Sequence, residues 1–416
     1  MRLGQAAPER TGWAFTMARV AFLNIPAHGH TNPTLPVVRE LVRRGEEVTY
    51  FSSDTFREKI EAAGARFVSY LEGVPFDSHS IHKNIFVNAG MVMRYARSLL
   101  PKVVEDLRRI GPDYVIHDSM CCWGKLAARI LGLPAACSVT MFALGTRPAL
   151  ISFSFMRALG REFVDGFGGI RRWFRGARDV HRRWGVNTFD LKDCFTNREP
   201  LNVVYTSRLF QPKGDSFDER YRFVGPSVAP REEEFDLPLD DDDPRLLVYI
   251  SLGTIVNQAR AFYRACFDGL GGDSVRVVMS VGSQTDPAAL GAAPENFVIR
   301  RRVPQLGVLA RARAFVTHAG MNSVSGAMLA RVPLVLFPQT AEQGLVARQV
   351  ERLGAGVRLP HVDLTADRVR EAVGEVVLDP AYREGAERIG QSFEDGGGWR
   401  AAADAFIEFR ESRGIW

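Results

Sequence analysis

The chain has 416 residues, of which 46% are apolar, and this length is enough for two hydrophobic cores of ordinary size but too long for one. Lysine and arginine outnumber aspartate and glutamate by 53 to 48, and this small excess is spread along the sequence. Composition therefore predicts two domains and argues against nucleic acid as a partner, because the sequence lacks a dense basic stripe.

Cysteine usage and hydropathy limit the location of the protein. The five cysteines are odd in number and have no C-x-x-C spacing, which is typical of free thiols in a reducing cytoplasm. The most apolar region, Met141–Leu159, is interrupted by Arg147, Pro148 and Arg157, so it does not form a membrane-spanning helix. Residues 1–17 lack the apolar run of a secretory signal and are expected to be a disordered leader. We therefore expect a cytoplasmic protein with no stable membrane insertion.

The first half of the chain alternates short apolar runs with helical segments. Val20–Ile25 is followed by a loop of proline, glycine and histidine and by an amphipathic stretch over Leu35–Arg44. Further apolar runs occur at 48–51, 67–68, 114–116 and 135–139. This spacing predicts a doubly wound parallel sheet.

Residues 141–200 break that pattern with aromatic and arginine side chains in long helical segments, which we expect to cover an acceptor pocket. Six arginines within this region share one helical stretch: Arg171, Arg172, Arg175, Arg178, Arg182 and Arg183. Their spacing favours a solvated helical face, and binding of an anion or a membrane surface is the alternative.

The composition of residues 226–244 indicates a linker between domains, because it combines prolines with runs of glutamate and aspartate. We place an N-terminal domain at 18–225, a C-terminal domain at 245–395, and a final helix at 396–416 that packs across the domain interface. The run Asp240–Asp243 resembles a metal-binding D-x-D motif, but its place in the linker favours solvated charge, and no metal is predicted. From Leu246–Ile250 to Leu334–Phe337 the strand and helix pattern restarts, which predicts a second parallel α/β domain.

A short strand ending at Thr317 leads through His318–Ser323 into a helix. The free N–H groups and the dipole of a helix N-terminus attract phosphate, and Gly320 lets a ligand approach the backbone. His318, Asn322 and Ser323 can donate further hydrogen bonds, so the segment predicts a diphosphate site. The alternative is that Asn322 and Ser323 are ordinary helix caps.

Five ordered motifs support a more specific prediction. They are Ala27–Pro33 (AHGHTNP), Ile116–Asp118 (IHD), Ser251–Thr254 (SLGT), Val303–Gln305 (VPQ), and Thr317–Ser323 (THAGMNS) followed by Pro333–Val335 and Glu342–Gln343. From about residue 18 onward the chain resembles the cytoplasmic antibiotic glycosyltransferases of bacteria, macrolide glycosyltransferases especially, and more distantly the plant and animal UDP-glycosyltransferases. The resemblance implies the α/β GT-B fold, with two doubly wound Rossmann-like domains facing a central cleft. It also implies inverting transfer without a metal or other cofactor.

The resemblance assigns a base and its partner in the N-terminal domain. His30, expected at the end of the first strand, matches the general base, and Asp118 matches the carboxylate that orients the imidazole. The alternative for His30 is a loop histidine that caps local backbone. His28 is interpreted as structural, because a two-histidine metal site would lack an evident third ligand.

The donor residues implied by the resemblance lie in the C-terminal domain. Contacts to phosphate are implied for Thr254, His318, Gly320, Asn322 and Ser323; contacts to base and ribose for Arg302, Val303 and Gln305; and contacts to sugar hydroxyls for Glu342 and Gln343. Surface polarity is the alternative for the last pair. Arg302 replaces the usual stacking aromatic, and Gly326 replaces the glutamate that usually binds both ribose hydroxyls. These two departures leave the choice between UDP and dTDP open.

The leading hypothesis is transfer of a hexose from a UDP-sugar or dTDP-sugar to a hydroxyl of a hydrophobic natural product, such as a macrolide or polyketide. The expected partners are this donor and a hydrophobic hydroxylated acceptor, and the protein is expected to be a monomer or homodimer. A non-catalytic GT-B protein that binds a nucleotide or a partner enzyme is a second hypothesis, motivated by Arg302 and Gly326. A sugar-nucleotide epimerase is a third.

Overall fold

The computed structural model describes residues 17–70, 85–145, 164–187, 196, 198–229, 237–239, 242–253, 259–283 and 285–415. Several residues named above lie outside these ranges: the leader residues 1–16, Arg147, Pro148, Arg157, Asp240, Asp241 and Thr254.

The first sheet has seven parallel strands in the order β3-β2-β1-β4-β5-β6-β7. Its strands are β1 (Arg19–Leu23), β2 (Glu47–Ser52), β3 (Arg66–Ser69), β4 (Tyr114–Asp118), β5 (Ala135–Val139), β6 (Asn202–Val204) and β7 (Tyr221–Phe223). Its helices are α1 (His28–Arg43), α2 (Arg57–Ala62), α3 (Ile85–Ile110), α4 (Cys122–Leu131) and α5 (Phe167–Trp184), with short 3₁₀ turns at Asp54–Phe56 and Gly214–Ser216. Separate hydrophobic clusters cover the two faces of the sheet, so the predicted doubly wound arrangement is confirmed.

Helix α1 begins earlier than the sequence predicts. We expected a loop up to Leu35, because prolines and glycine usually interrupt a helix, yet α1 starts at His28 and contains Pro33 and Pro36. Both prolines lie beyond the first turn, so each removes one intrahelical hydrogen bond, to the carbonyls of Gly29 and Asn32. His30 therefore lies in the first turn of a helix, not in a loop at the end of the first strand.

The second sheet has six parallel strands in the order β10-β9-β8-β11-β12-β13. Its strands are β8 (Leu246–Ser251), β9 (Val275–Ser280), β10 (Phe297–Arg300), β11 (Ala312–Thr317), β12 (Leu334–Leu336) and β13 (Gly356–Arg358). The helices are α6 (Arg260–Leu270), α7 (Gln305–Leu309), α8 (Met321–Leu329), α9 (Ala341–Arg352), α10 (Ala366–Leu378) and α11 (Pro380–Glu394), with a 3₁₀ turn at Pro287–Leu290. Two further hydrophobic clusters cover this sheet, which confirms the predicted second doubly wound unit.

The last helix, α12 (Gly398–Ser412), returns to the first sheet. Its Phe406 and Phe409 are buried in the same hydrophobic cluster as Val20 and Phe22 of β1. The chain therefore ends on the domain where it began, after the second sheet is complete.

Two expectations drawn from composition have counterparts in the structure. Cys121, Cys122, Cys137 and Cys266 are buried free thiols, as predicted for these four residues. Among the described residues, no helix is long and apolar enough to cross a bilayer.

Candidate active site

Three side chains meet where the strand order of the first sheet reverses, between β1 and β4. His30 follows β1, Asp118 is the last residue of β4, and Thr140 follows β5. His30 Nδ1 lies 2.8 Å from Asp118 Oδ2 and 2.8 Å from Thr140 Oγ1, and Thr140 Oγ1 lies 3.4 Å from Asp118 Oδ2. These three residues form the histidine corner, at the kind of strand end where doubly wound sheets bind ligands.

The hydrogen bonds of the histidine corner fix the tautomer of the neutral ring. Asp118 is fully buried, and its Oδ1 accepts the Met120 N–H at 2.7 Å. Because an ionised carboxylate only accepts, Nδ1 of His30 carries the hydrogen and shares it between Asp118 Oδ2 and Thr140 Oγ1. The Thr140 hydroxyl hydrogen is then free to point at Asp118. Nε2 of His30 is left as an unprotonated acceptor, which is the atom a general base uses.

Opposing influences set the pKa of His30. Burial of the ring acts to lower the pKa, but the charge and hydrogen bond of Asp118, together with the charge of Glu342 across the cleft, raise the pKa of His30 above its ordinary value. Glu342 is exposed by solvent-accessible area, yet reduced hydration of its carboxyl raises the pKa of Glu342, and the charge of His30 acts to lower it. The two domains are therefore electrostatically coupled at this site.

Asn24, just after β1, fixes the backbone of the histidine corner. Its Nδ2 donates to the carbonyl of His30 at 3.1 Å and lies 2.6 Å from the hydroxyl of Tyr50. Sequence reasoning missed both Asn24 and Thr140. The signal that points to them is their position, since each follows a buried parallel strand next to the point where the strand order reverses.

The segment His318–Ser323, here called the phosphate cradle, lies at the corresponding point of the second sheet, after β11 and beside β8. Helix α8 begins after Gly320 and has no side-chain cap, and Ala319 is held in the left-handed region with φ 63°. The alternative that Asn322 and Ser323 are ordinary caps is therefore wrong. An uncapped helix start offers its first N–H groups to an anion.

Two glycines enclose the ring of His318. A Cβ on Gly253, whose φ is +79°, would lie 2.6 Å from His318 Cε1, and a Cβ on Gly320 would lie 2.5 Å from His318 Nε2. Burial of the ring lowers the pKa of His318 to about 4, against an opposing hydrogen bond with the backbone of Ser251. His318 is therefore neutral at physiological pH, so its ring can form a hydrogen bond with a ligand but carries no charge.

A single hydrogen bond links the phosphate cradle to the histidine corner. Asn322 Nδ2 donates to the carbonyl oxygen of Gly29 at 3.3 Å. That carbonyl is available because Pro33, four residues later in α1, has no N–H to donate to it. Pro33 thus leaves the carbonyl of Gly29, next to His30, able to accept a hydrogen bond from Asn322 of the opposite domain.

The remaining predicted donor residues lie around the same cleft. Arg302 is exposed. Burial of the His28 ring is the largest of the influences that lower the pKa of His28, the charge of Lys59 is the next, and the charge of Arg302 is the third. Val303 is partly buried, and Gln305 begins α7. A Cβ on Gly326 would lie 3.4 Å from Leu306 Cδ2 and 3.7 Å from Gln305 Nε2, so packing leaves room for a side chain there.

Helix α9 supplies Glu342 and Gln343. The Gln343 Oε1 accepts the N–H of Gln339 at 2.7 Å and that of Thr340 at 3.2 Å, which completes a capping box. Gln343 therefore has a structural task, and its amide N–H₂ remains for a ligand. Among the described residues, no group of three or more histidines, cysteines, aspartates or glutamates is arranged to hold a metal ion.

His28 lies on the same helical turn as His30 but in other surroundings. Its ring makes an edge contact with Phe56, with centroids 5.0 Å apart. This position fits the structural interpretation given to His28.

The chain is similar to known proteins over most of its length. Residues 266–394 match the family model for the C-terminal domain of erythromycin biosynthesis protein CIII-like proteins. The NDP-glycosyltransferase YjiC of Bacillus licheniformis is 35% identical over 95% of this chain and 98% of its own length. The oleandomycin glycosyltransferase of Streptomyces antibioticus is 30% identical over 94% of this chain and 90% of its own length. The solved structure of CalG4, the calicheamicin glycosyltransferase, superposes with a TM-score of 0.80 at 30% identity and covers 95% of this chain and 98% of its own.

Proposed function

Because the chain belongs to the bacterial macrolide and antibiotic glycosyltransferase family and has the GT-B fold, we propose that it is an inverting, metal-independent hexosyltransferase. It transfers a hexose from a UDP-sugar or dTDP-sugar to a hydroxyl of a hydrophobic natural product. The similarity to the oleandomycin glycosyltransferase supports an acceptor of macrolide or polyketide type.

The observation that carries this proposal is the hydrogen-bonded histidine corner beside an uncapped helix start. An acceptor hydroxyl is a weak nucleophile, and Nε2 of His30 takes its proton as the oxygen attacks the anomeric carbon. Asp118 holds the ring through Nδ1 and stabilises the imidazolium that forms. The proton remains on His30 until solvent removes it.

The phosphate cradle receives the leaving group. Charge develops on the diphosphate as the bond between the anomeric carbon and the phosphate oxygen breaks, and the first N–H groups and the dipole of α8 stabilise that charge. Neutral His318 adds a hydrogen bond, with Asn322 and Ser323 beside it. Attack from the face opposite the diphosphate is a single displacement, and it inverts the anomeric centre.

Selectivity for the donor comes from the rim of the cleft. Glu342 and the amide N–H₂ of Gln343 bind sugar hydroxyls, while Arg302, Val303 and Gln305 bind the nucleoside. Gly326 supplies no carboxylate to the ribose diol. UDP and dTDP differ at the 2′ position and at C5 of the base. Because no carboxylate at position 326 selects for the 2′-hydroxyl, we expect the protein to accept both nucleotides.

The test is turnover by the His30→Ala variant. We expect kcat to fall by about 10²- to 10⁴-fold, the contribution typical of a positioned general base. Donor binding, measured by calorimetry, should stay nearly unchanged. The matched control is His28→Ala, which removes the neighbouring ring on the same helical turn and should keep most of the activity. Full activity in His30→Ala would contradict the role of His30 as the general base.

A donor panel separates transfer from a purely binding role. The protein is incubated with UDP-sugars and dTDP-sugars and a mixture of hydrophobic hydroxylated acceptors, with and without EDTA, and the products are identified by mass spectrometry. Glycosylated acceptor with the inverted anomer, formed at the same rate in EDTA, is the expected result. Nucleotide binding without product from any combination would favour the non-catalytic hypothesis.

A further inference from the structure

Helix α5 turns one face inward and an arginine-rich face outward. Trp173, Ala177 and Val180 are buried in the hydrophobic cluster that α5 shares with α3. All six arginines of the helix are exposed: Arg171, Arg172, Arg175, Arg178, Arg182 and Arg183. We call this exposed side of α5 the arginine face.

Little negative charge offsets the arginine face. The stretch 164–187 contains two carboxylates, Asp165 and Asp179, and Asp179 forms an ion pair with Arg97 of α3 at 2.9 Å. Within the described part of the chain, the six arginines of α5 form no ion pair. Solvated surface helices usually intersperse both signs of charge, so this concentration of one sign calls for an anionic partner.

A cavity of about 330 Å³ lies between α3 and α5 at the edge of the arginine face. Its lining includes Arg94, Arg97, Ser98, Asp179, Arg183 and Trp184. Arg97 is paired with Asp179, and the Ser98 hydroxyl donates to the carbonyl of Arg94 at 3.2 Å. Arg94 and Arg183 remain as guanidinium groups of the lining, and such groups bind phosphate oxygens in a bidentate manner. The cavity therefore has the chemistry to receive a phosphate group.

Apolar side chains are exposed beside the arginines. Phe174 is 42% exposed and lies one helical turn from Arg171 and Arg178, while Phe167 and Val164, near the helix start, are 51% and 72% exposed. Exposed aromatic and aliphatic side chains among arginines are typical of helices that lie in a membrane interface.

We propose that the arginine face docks the protein on an anionic phospholipid surface, with the cavity between α3 and α5 receiving a phosphate headgroup. An 18-residue helix presents a strip about 27 Å long, which suits a flat surface that carries many headgroups. Phe174 and Val164 gain an apolar environment at the acyl boundary, whereas the phosphate backbone of a nucleic-acid duplex offers them none. The protein stays peripheral.

Docking has a consequence that rests on the proposed function. Helix α5 packs on α3, α3 packs on α4, and α4 follows β4, which carries Asp118. The arginine face therefore belongs to the domain that carries the proposed base. Hydrophobic acceptors partition into membranes, so docking brings this domain to the membrane in which its acceptor is concentrated.

The test is flotation of the full-length protein with vesicles. Vesicles of equal parts phosphatidylglycerol and phosphatidylcholine should carry the protein at low salt, and vesicles of phosphatidylcholine alone should not. A variant with Arg171, Arg175, Arg178 and Arg182 each changed to Glu should lose about 100-fold or more in partitioning, since each arginine near an anionic surface contributes about fivefold. The control reverses four exposed arginines elsewhere, Arg39, Arg264, Arg313 and Arg348, and should keep at least a tenth of the wild-type partitioning.

Two further measurements keep the test decisive if the fourfold variant folds poorly. Binding of the wild-type protein should disappear at about 0.5 M salt, where charges are screened within a few ångströms. Phe174→Ala should weaken partitioning severalfold and leave donor binding, measured by calorimetry, unchanged. Sugar transfer by the wild-type protein in vesicle-free buffer separates failure of docking from failure of the proposed function. Absence of flotation on anionic vesicles, equal loss in both fourfold variants, or tighter binding to an RNA duplex at equal phosphate concentration would each overturn the proposal.

Discussion

The hydrogen bonds of His30 in the first domain are made to neighbouring side chains, whereas the helix start of the phosphate cradle in the second domain has no side-chain partner. His30 Nδ1 is held by Asp118 and Thr140, both at 2.8 Å. Helix α8 has no side-chain cap, and Asn322 contacts the opposite domain at 3.3 Å. Under the proposed function, proton transfer is preorganised before a donor arrives, and the donor itself completes the binding of the leaving group.

The largest expected effect is on the phosphate cradle, through Gly253→Ala. The new Cβ would lie 2.6 Å from His318 Cε1, and the ring must leave its position between the two glycines. We expect the affinity for UDP and dTDP, measured by calorimetry, to fall by about 100-fold, as several hydrogen bonds to charged phosphate are displaced together. The histidine corner is not contacted, so the acid limb of the pH profile should stay where it is.

The matched control separates this collision from backbone strain. Gly185 at the end of α5 has a similar φ of +73°, and a Cβ there would meet no atom within 4 Å. Gly185→Ala should therefore lose stability to a similar degree and keep its donor affinity. Equal loss of affinity in both variants would mean that His318 does not depend on Gly253 for its position.

A smaller effect is expected at the histidine corner, through Thr140→Val. Valine keeps the shape of threonine but removes the oxygen that shares the Nδ1 hydrogen of His30 and the hydroxyl that points at Asp118. Loss of one hydrogen bond of about 1 kcal/mol corresponds to a fall in kcat of about fivefold to tenfold. Donor affinity should not change, and Thr140→Ser should restore kcat.

Stopped-flow or steady-state kinetics at saturating donor and acceptor measures this difference. A fall in donor affinity without a fall in kcat would contradict the positioning role of Thr140. In that case the Thr140 hydroxyl would bind the donor sugar instead of positioning His30. The histidine corner would then also contribute to donor binding, as the phosphate cradle does.

Much of the fold was accessible from sequence, because buried parallel strands leave continuous apolar runs such as those of β1 and β8. The start of α1 was not accessible, since Pro33 and Pro36 resemble loop residues and each removes an intrahelical hydrogen bond. The Gly29 carbonyl, which Pro33 leaves without an intrahelical donor, accepts instead from Asn322 of the other domain. The local pattern alone does not show this.

The candidate site was predicted less completely, for a physical reason. His30, Asp118 and His318 belong to motifs, so local sequence identifies them. Thr140 lies outside these motifs, and Gly253 lies in one that does not reveal its contact with His318. Both residues contact segments that are far away in the chain, and only the three-dimensional arrangement shows these contacts. Gln343 shows the converse, since its motif suggests a sugar ligand while its Oε1 caps α9.

The smallest effect is expected for Glu342→Gln. This variant tests how strongly the charge at position 342, in the second domain, affects His30 in the histidine corner. Glu342 is one of the groups that raise the pKa of His30, after the opposing effect of burial and the larger contribution of Asp118. Removing its charge lowers the pKa of His30, and the base acts only when unprotonated, so the acid limb of kcat should move to lower pH. The control is Glu351→Gln on the same helix, which pairs with Arg358 and should leave the limb in place. If the limb stays fixed in Glu342→Gln, or moves to higher pH, the carboxylate does not act on His30, and Glu342 affects only the affinity for the sugar.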